Sequence, residues 1–238
     1  MTKDGMDQFR EIDQLLDARP LPPLPADRLK QIEAAVITGL KPVRGLASPG
    51  LYFAALAGIF VAVCMAGCYV VGWNGWLALN ELQKFAVFLP LTATAGLLAF
   101  SLVRQMSPAS RHARSSAFVA SAVFILLLLI VTMIFHPVQE SEFVRNGVPC
   151  FRIGMAFAVP AAVLSALPLL RGAGLSPLLT GAAAGGLAGL AGLTVLEIQC
   201  PNLNVYHIVT WHVSVTVVCV FLGFIFSGVT FRRSASNP

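Results

Sequence analysis

The chain has 238 residues, a formal net charge of +5 and a mean hydropathy of +0.78, with 57% hydrophobic and 11% charged residues. Soluble domains carry about 25% charged residues, so this composition excludes an ordinary soluble protein and indicates an integral membrane protein. A basic balance can also indicate a nucleic-acid partner, and the positions of the basic residues along the chain decide between these explanations.

The first predicted element is a cytoplasmic arm, residues 1–48, with two short amphipathic helices on either side of a proline-rich spacer at 19–25. The second helix, in PADRLKQIEAAVITGL, has the clearer apolar stripe. Its members are Leu29, Ile32, Val36 and Leu40. An arm this short buries too little apolar surface to fold alone. Its helix must therefore dock on the membrane or the bundle, or in a groove of a soluble protein.

Six stretches of mostly apolar residues are long enough to cross a bilayer, which requires roughly 20 residues of helix. They cover residues 50–72, 84–103, 116–135, 152–170, 177–198 and 207–231. The sequence therefore predicts an all-α integral membrane protein. A six-helix transmembrane domain at 49–231 follows the arm and precedes a cytoplasmic tail at 232–238.

The basic residues predict the orientation of these spans, because Lys and Arg collect in cytoplasmic segments. With the N terminus inside, the inner segments hold thirteen of the sixteen basic residues and the outer segments hold three. Both termini are therefore predicted to be cytoplasmic. This topology and contact with lipid headgroups explain the net charge, so no nucleic-acid partner is expected.

The fifth predicted span contains a run of small residues, TGAAAGGLAGLAG, in which Gly181, Gly185 and Gly189 are four residues apart. This spacing lets a second helix pack closely. A packing seam inside the bundle is favoured over a homodimer face or a substrate path. No span carries an ionisable residue near its middle, which argues against a transporter.

Two of the five cysteines, Cys150 and Cys200, are expected at the outer boundary, where the fourth span begins and the fifth ends. In a bacterium this surface faces an oxidising compartment, in which paired thiols tend to form disulfides. A structural disulfide, a reversible redox pair and a transient site for a soft metal ion stay open as alternatives. The remaining cysteines, Cys64, Cys68 and Cys219, are interpreted as packing residues.

Three polar residues near Cys200 are supporting candidates for an outer site. Glu197 precedes Cys200 by three residues on the same helical face, and His207 and His212 open the sixth span. Residues five apart on an α-helix point about 140° away from each other, so the two histidines are not expected to form a same-face metal pair. No confident metal site and no resident cofactor are predicted.

Motifs of common enzymes are absent from the sequence, which has no nucleotide-binding loop, no HExxH and no G-x-S-x-G. An enzyme is therefore not expected. A small inner-membrane transporter or metal-handling protein stays open as an alternative, because the outer cysteines and histidines include typical metal ligands.

The order of several short motifs resembles the NrsF family of membrane anti-sigma factors. These motifs are GVPC at 147–150, LLRGAGLSPLLTGAAAGGLAG at 169–189, CP at 200–201 and WH at 211–212. The resemblance is best from about residue 145 to 231, and the six-span layout extends it over most of the chain.

This resemblance implies a protein of the bacterial inner membrane that sequesters an extracytoplasmic-function sigma factor through its cytoplasmic side. It further implies that the sigma factor is released on an envelope stress, redox or metal, and that Cys150 and Cys200 are the sensing residues. The apolar stripe of the arm is then the candidate surface for the sigma factor.

Overall fold

The computed structural model describes residues 25–39, 48–106, 113–139, 141–169 and 177–235, and these residues form helices with no β-strand among them. The chain divides into two units, Met1–Gly45 and Leu46–Pro238. The first unit contains α1 (Ala26–Gly39). The second contains α2 (Pro49–Val71), α3 (Asn74–Ala78), α4 (Glu81–Gln105), α5 (Ala113–Ile134), α6 (Phe143–Leu169), α7 (Pro177–Gln199), α8 (Val205–His207), a π-helical segment (Ile208–His212) and α9 (Val213–Ala235).

Five helical segments are long and apolar enough to cross a membrane: α2, α4, α6, α7 and Val205–Gly228, which runs from α8 into α9. Large apolar side chains such as Val61, Leu89, Val163 and Phe221 are exposed on their outer surfaces. Such a surface is unfavourable in water and suits the hydrocarbon core of a bilayer. The chain is therefore a multi-pass membrane protein.

The sixth predicted span falls on α5, which has 22 residues. The continuous stretch of α5 whose side chains the structure describes, Ser121–Ile134, is apolar but shorter than a full span. A sixth crossing through α5 thus stays a prediction. The same holds for the first arm helix and the proline-rich spacer, whose residues up to 24 lie outside the described part of the chain.

Capping side chains account for the starts of two spans. Ser48 accepts a hydrogen bond from the backbone N–H of Leu51 at 3.4 Å, and Pro49 occupies the first turn of α2. Asn80 and Gln83 cap α4 reciprocally, each side-chain oxygen accepting from the other residue's N–H at 2.9 and 3.0 Å. These bonds satisfy N–H groups that a helix N terminus leaves without partners.

The helix α6 begins earlier than the sequence indicates. The pattern predicts a fourth span that begins at residue 152, whereas the helix starts at Phe143 and includes Pro149. A membrane helix tolerates proline where neighbouring groups satisfy the freed carbonyl. As a result, Cys150 lies about two turns inside α6 rather than at its start.

The central helix of the bundle is α7, which packs against α2, α4, α6 and α9. Every residue from Gly185 to Ile198 is buried. A helix that is apolar on all sides is stable only when neighbours surround it, and the small residues of α7 let them approach. The helix α7 ends at Gln199, directly before Cys200, and we call this end of the bundle the cysteine end.

Candidate functional site

The two cysteines of the predicted pair meet at the cysteine end. Cys150 comes from α6 and Cys200 directly follows α7, and their Sγ atoms lie 3.7 Å apart. Both are thiols and both are buried. The Cys150 thiol also donates to the backbone carbonyl of Asn146, one turn earlier in α6, with an Sγ–O distance of 3.7 Å. The pair therefore joins two transmembrane helices through side chains that can change their chemical state.

The two histidines lie on the same side of their helix, so the expectation that they would diverge is wrong. The physical reason is the π-helical segment Ile208–His212, in which the N–H of Val213 donates to the carbonyl of Ile208, five residues earlier. A hydrogen bond over five residues widens the turn and brings residues five apart into alignment. The rings of His207 and His212 consequently meet edge to face, with centroids 5.3 Å apart.

Glu197 binds the second of these histidines. Its Oε1 atom lies 2.8 Å from Nδ1 of His212, and both side chains are buried, with exposed fractions of 7% and 1%. Charges and polar groups this deep are stable only when paired, so the contact fixes the orientation of the His212 ring. The other ring nitrogen of His212, Nε2, is buried and has no hydrogen-bond partner among the described residues.

Four side chains form what we call the thiol–imidazole cluster, and their donor atoms all lie within 4.8 Å of one another. Its members are Cys150, Cys200, His207 and His212. His207 contacts the pair through Nε2, which lies 3.7 Å from Sγ of Cys200. The hydrogen bond with Cys150 and burial raise the pKa of the Cys200 thiol, against an opposing effect of the two histidines. The net shift favours the protonated form of the Cys200 thiol.

Two glycines that the sequence analysis did not identify allow neighbouring groups to approach closely around the cluster. A Cβ atom at Gly75, in the short helix α3, would lie 2.6 to 2.9 Å from backbone atoms of Glu197 and Cys200. A Cβ atom at Gly147 would meet the indole ring of Trp211. In the sequence, Gly147 and Trp211 are marked only by the motifs GVPC and WH, to which they belong. No signal marked Gly75.

The small-residue run of α7 faces α9. A Cβ atom at Gly181 would meet the backbone of Gly223, one at Gly185 the backbone of Cys219, and one at Gly189 the backbone of Thr216. We call these three contacts the glycine seam. They lie within one chain, in the arrangement that the packing interpretation describes. Closer to the cysteines, Gly192 of α7 similarly meets the carbonyl of Gly154 in α6.

The apolar stripe of the arm is only partly described. Leu29 and Ile32 lie on α1 and are exposed, at 53% and 50%. Val36 lies within α1, but its side chain is outside the described part, and Leu40 is outside the described residues altogether. Exposure of two large apolar side chains on one short helix is consistent with a surface that binds another molecule.

A polar contact that the sequence did not indicate joins α4 and α7 at the end opposite the cysteines. The hydroxyl of Thr180 donates to Oε1 of Gln105 at 2.7 Å, and Nε2 of Gln105 donates to Oγ of Ser101 at 3.3 Å. Buried polar groups in apolar surroundings need such partners. The contact ties the first turn of α7 to α4.

These features define a class: a multi-pass helical membrane protein whose buried thiols and imidazoles are gathered at one end of the bundle. Residues 37–232 match the model of the NrsF family, described as negative regulator of sigma F. The match covers more than half of the chain, which therefore belongs to the NrsF family. Neither the curated proteins nor the solved structures gave a match.

Membership in this family confirms the resemblance drawn from the short motifs. The family consists of regulators rather than enzymes, and its description names a sigma factor as the regulated protein. The chain is thus a membrane-embedded member of an anti-sigma factor family.

Proposed function

We propose that this protein sequesters an extracytoplasmic-function sigma factor at the cytoplasmic side of the bacterial inner membrane and releases it on an envelope stress. The cysteine end faces outward, both termini are cytoplasmic, and Cys150 and Cys200 sense the stress. The observation that carries the proposal is the 3.7 Å contact between the two thiols, because it joins α6 to α7 through groups that a redox or metal signal can alter.

The packing beneath the thiols supports a route for the signal. One to two turns inward of Cys150 and Cys200, a Cβ atom at Gly192 would meet the carbonyl of Gly154. The backbones of α6 and α7 are therefore in close contact next to the thiols. Oxidation removes two electrons and two protons from the thiols, which pass to a two-electron oxidant, and it replaces the 3.7 Å contact with an S–S bond of about 2.05 Å. Tightly packed helices transmit such a shift rather than absorb it.

The arm supplies the proposed docking surface for the sigma factor. The exposed side chains of Leu29 and Ile32 match the spacing by which an amphipathic helix occupies an apolar groove. Val36 and Leu40 extend the same stripe in the sequence. A regulator of this kind needs two states that differ in sigma affinity, at about 1.4 kcal/mol for each tenfold difference.

Co-purification of a sigma factor with the full-length protein, solubilised from membranes, tests the sequestration. Leu29→Glu together with Ile32→Glu should abolish co-purification, while Cys64→Ser, a control in α2, should leave it unchanged. Transcription from a sigma-dependent reporter should rise on deletion of the gene. Absence of any bound sigma factor, with unchanged transcription after deletion, would refute the function.

The sensing residues are tested by the same reporter. Cys150→Ser and Cys200→Ser should each abolish the response to stress, whereas Cys219→Ser should respond normally. An impermeant thiol reagent should label a Tyr206→Cys variant from outside in intact cells, because Tyr206 is exposed at the cysteine end, and this labelling checks the orientation. A normal stress response in both cysteine variants would leave the pair without a sensing role.

The donor set of the thiol–imidazole cluster also favours one alternative, a small metal-handling membrane protein or transporter. In that case substitution of Glu197, Cys200 or His207 would change metal uptake or efflux and leave sigma-dependent transcription unaffected. The anti-sigma function predicts the opposite pattern.

A further inference from the structure

We propose that Cys150, Cys200, His207 and His212 are the four ligands of a tetrahedral metal site for a thiophilic ion of the zinc class. Glu197 is a positioning residue that orients His212. The metal ion is thus the ligand of the thiol–imidazole cluster. A role of the bound metal as the signal for sigma release rests on the proposed function.

The distances at the two thiols suit a metal ion. Zinc binds sulfur at about 2.3 Å and imidazole nitrogen at about 2.0 to 2.1 Å. Two sulfurs on a tetrahedral ion are then about 3.8 Å apart, and a sulfur and a nitrogen about 3.6 Å apart. The observed separations are 3.7 Å between Cys150 and Cys200 and 3.7 Å from Cys200 to Nε2 of His207.

The pair of Glu197 and His212 has the arrangement that orients a metal-binding imidazole. Histidine ligands usually donate their second N–H to a carboxylate, which fixes the tautomer and directs the other nitrogen to the metal. Here Glu197 lies 2.8 Å from Nδ1 of His212, and Nε2 is the buried atom without a hydrogen-bond partner. A metal ion within the cluster would satisfy this nitrogen.

The π-helical segment supports the same interpretation. Short π-helical turns are rare, and they recur at functional sites. Without the segment, His207 and His212 would point about 140° apart, and only one of them could face the cysteines. With it, both imidazoles lie within 4.8 Å of both thiols.

Loading the site is an exchange of protons for a metal ion. Each thiol loses its proton to water as its sulfur binds the ion, and the two imidazoles bind through neutral nitrogen atoms. No electrons are transferred. The ligands come from α6, the end of α7, α8 and the π-helical segment, so the bound ion would fasten three transmembrane segments at the cysteine end.

Zinc binding to the full-length protein in detergent micelles, purified without a histidine tag, tests the site. Competition with a chromophoric chelator should give one zinc ion per chain. Cobalt, used as a spectroscopic substitute, should show thiolate-to-metal charge transfer and the strong visible bands of a tetrahedral site.

Substitution of each proposed ligand should weaken zinc binding by about 100-fold or more, in the variants Cys150→Ser, Cys200→Ser, His207→Asn and His212→Asn. The variant Glu197→Gln should weaken it by about 10- to 100-fold. Cys219→Ser is the matched control and should bind zinc normally.

Two results would overturn the proposal: less than one zinc per chain in the unmodified protein, or unchanged affinity in both histidine variants. The first needs no variant, so misfolding of a variant cannot hide it, and size-exclusion profiles identify misfolded variants for the second. Co-purification of the sigma factor is measured on the same preparations. Sigma binding without zinc binding refutes the metal site alone, whereas zinc binding without a sigma factor refutes the anti-sigma function alone.

Discussion

Along α7, the glycine seam and the cysteine end both pack against neighbouring helices, but they do so through different groups. At the seam, Gly181, Gly185 and Gly189 leave room for the backbone of α9 and contribute no side chain. At the cysteine end, Glu197 and Cys200 make their contacts through polar side chains that can bind a proton, a metal ion or another sulfur. One helix thus has an interface formed by close backbone packing and another formed by reactive polar side chains.

This contrast indicates which contacts can change during signalling. A contact between two backbones has no alternative state except separation, so the seam is suited to hold α7 and α9 together. The side chains of the thiol–imidazole cluster can change state by losing protons, binding a metal ion or forming an S–S bond. We therefore expect substitutions at the seam to act on stability and substitutions in the cluster to act mainly on response.

The largest loss of stability is expected from Gly185→Val. Its Cβ would meet the carbonyl of Cys219 and come within 3.2 Å of the Cα of Val220, and backbone cannot move aside as a side chain can. Forcing atoms into a packed interior costs about 1 to 3 kcal/mol and sometimes more, and we expect about 3 kcal/mol or more here. Thermal unfolding of the solubilised protein, followed by circular dichroism, would measure the loss.

Gly58→Val is the matched control for this experiment. Gly58 lies in α2, and a Cβ there would meet nothing within 4 Å. The same substitution at this open position should change stability by about 0.5 kcal/mol or less. Equal losses at both positions would show that the close contact at the seam does not determine the result, because valine favours a helix over glycine at either position.

The next largest effect is expected at the cysteine end, from Glu197→Ala. Removing one partner of a buried pair leaves the other without its compensation, at a cost of about 3 kcal/mol. Glu197→Gln should lose much less, because the amide oxygen can still accept a hydrogen bond from Nδ1 of His212. Chemical unfolding of the two variants should separate them. Similar losses would mean that the volume of the side chain, and not the hydrogen bond, stabilises this end.

The contrast along α7 also shows what the sequence could predict. The spans of α2 and α7 are predicted within one residue at all of their ends, because a long apolar run bounded by polar residues leaves little choice in a membrane. The spacing of small residues predicts close helix packing, although it does not identify the partner helix. The approach of Cys150 and Cys200 depends on which helices are neighbours, and the sequence leaves that open.

The histidines show why local geometry was harder to predict. Positions 207 and 212 were interpreted on an α-helical lattice, where they diverge, and a single widened turn reverses that conclusion. The role of Gly75 depends on a helix of five residues in a connection, where periodicity has no meaning. The contact of Gly75 with the backbone of Glu197 and Cys200 is tertiary, and no residue pattern in a single sequence marks it or the widened turn.

A smaller effect is expected from Asn204→Ala, which tests the frame around the cluster. The Asn204 amide bridges to the backbone of Val138, donating to its carbonyl at 2.7 Å and accepting from its N–H at 3.2 Å, and it also caps α8 by accepting from the N–H of Tyr206. Loss of a cap costs about 1 kcal/mol. Asn204→Ser keeps an oxygen that can accept from the Tyr206 N–H and loses the longer amide that bridges to Val138, so its melting temperature should lie between those of wild type and Asn204→Ala. A Ser variant no better than Ala would assign the effect to the bonds with Val138.

The smallest effect is expected from Gly186→Ala, next to the most sensitive seam residue. A Cβ at Gly186 would approach only the side-chain ends of Leu98 and Val220, at 3.2 and 3.4 Å, and such groups can move by a few tenths of an ångström. Alanine also favours the helix by about 1 kcal/mol over glycine, which offsets the crowding. The melting temperature should therefore stay close to that of the wild type, while Gly185→Ala, whose Cβ meets backbone, should lower it clearly. If the two alanine variants melted together, backbone contact would not be what distinguishes the seam from the rest of α7.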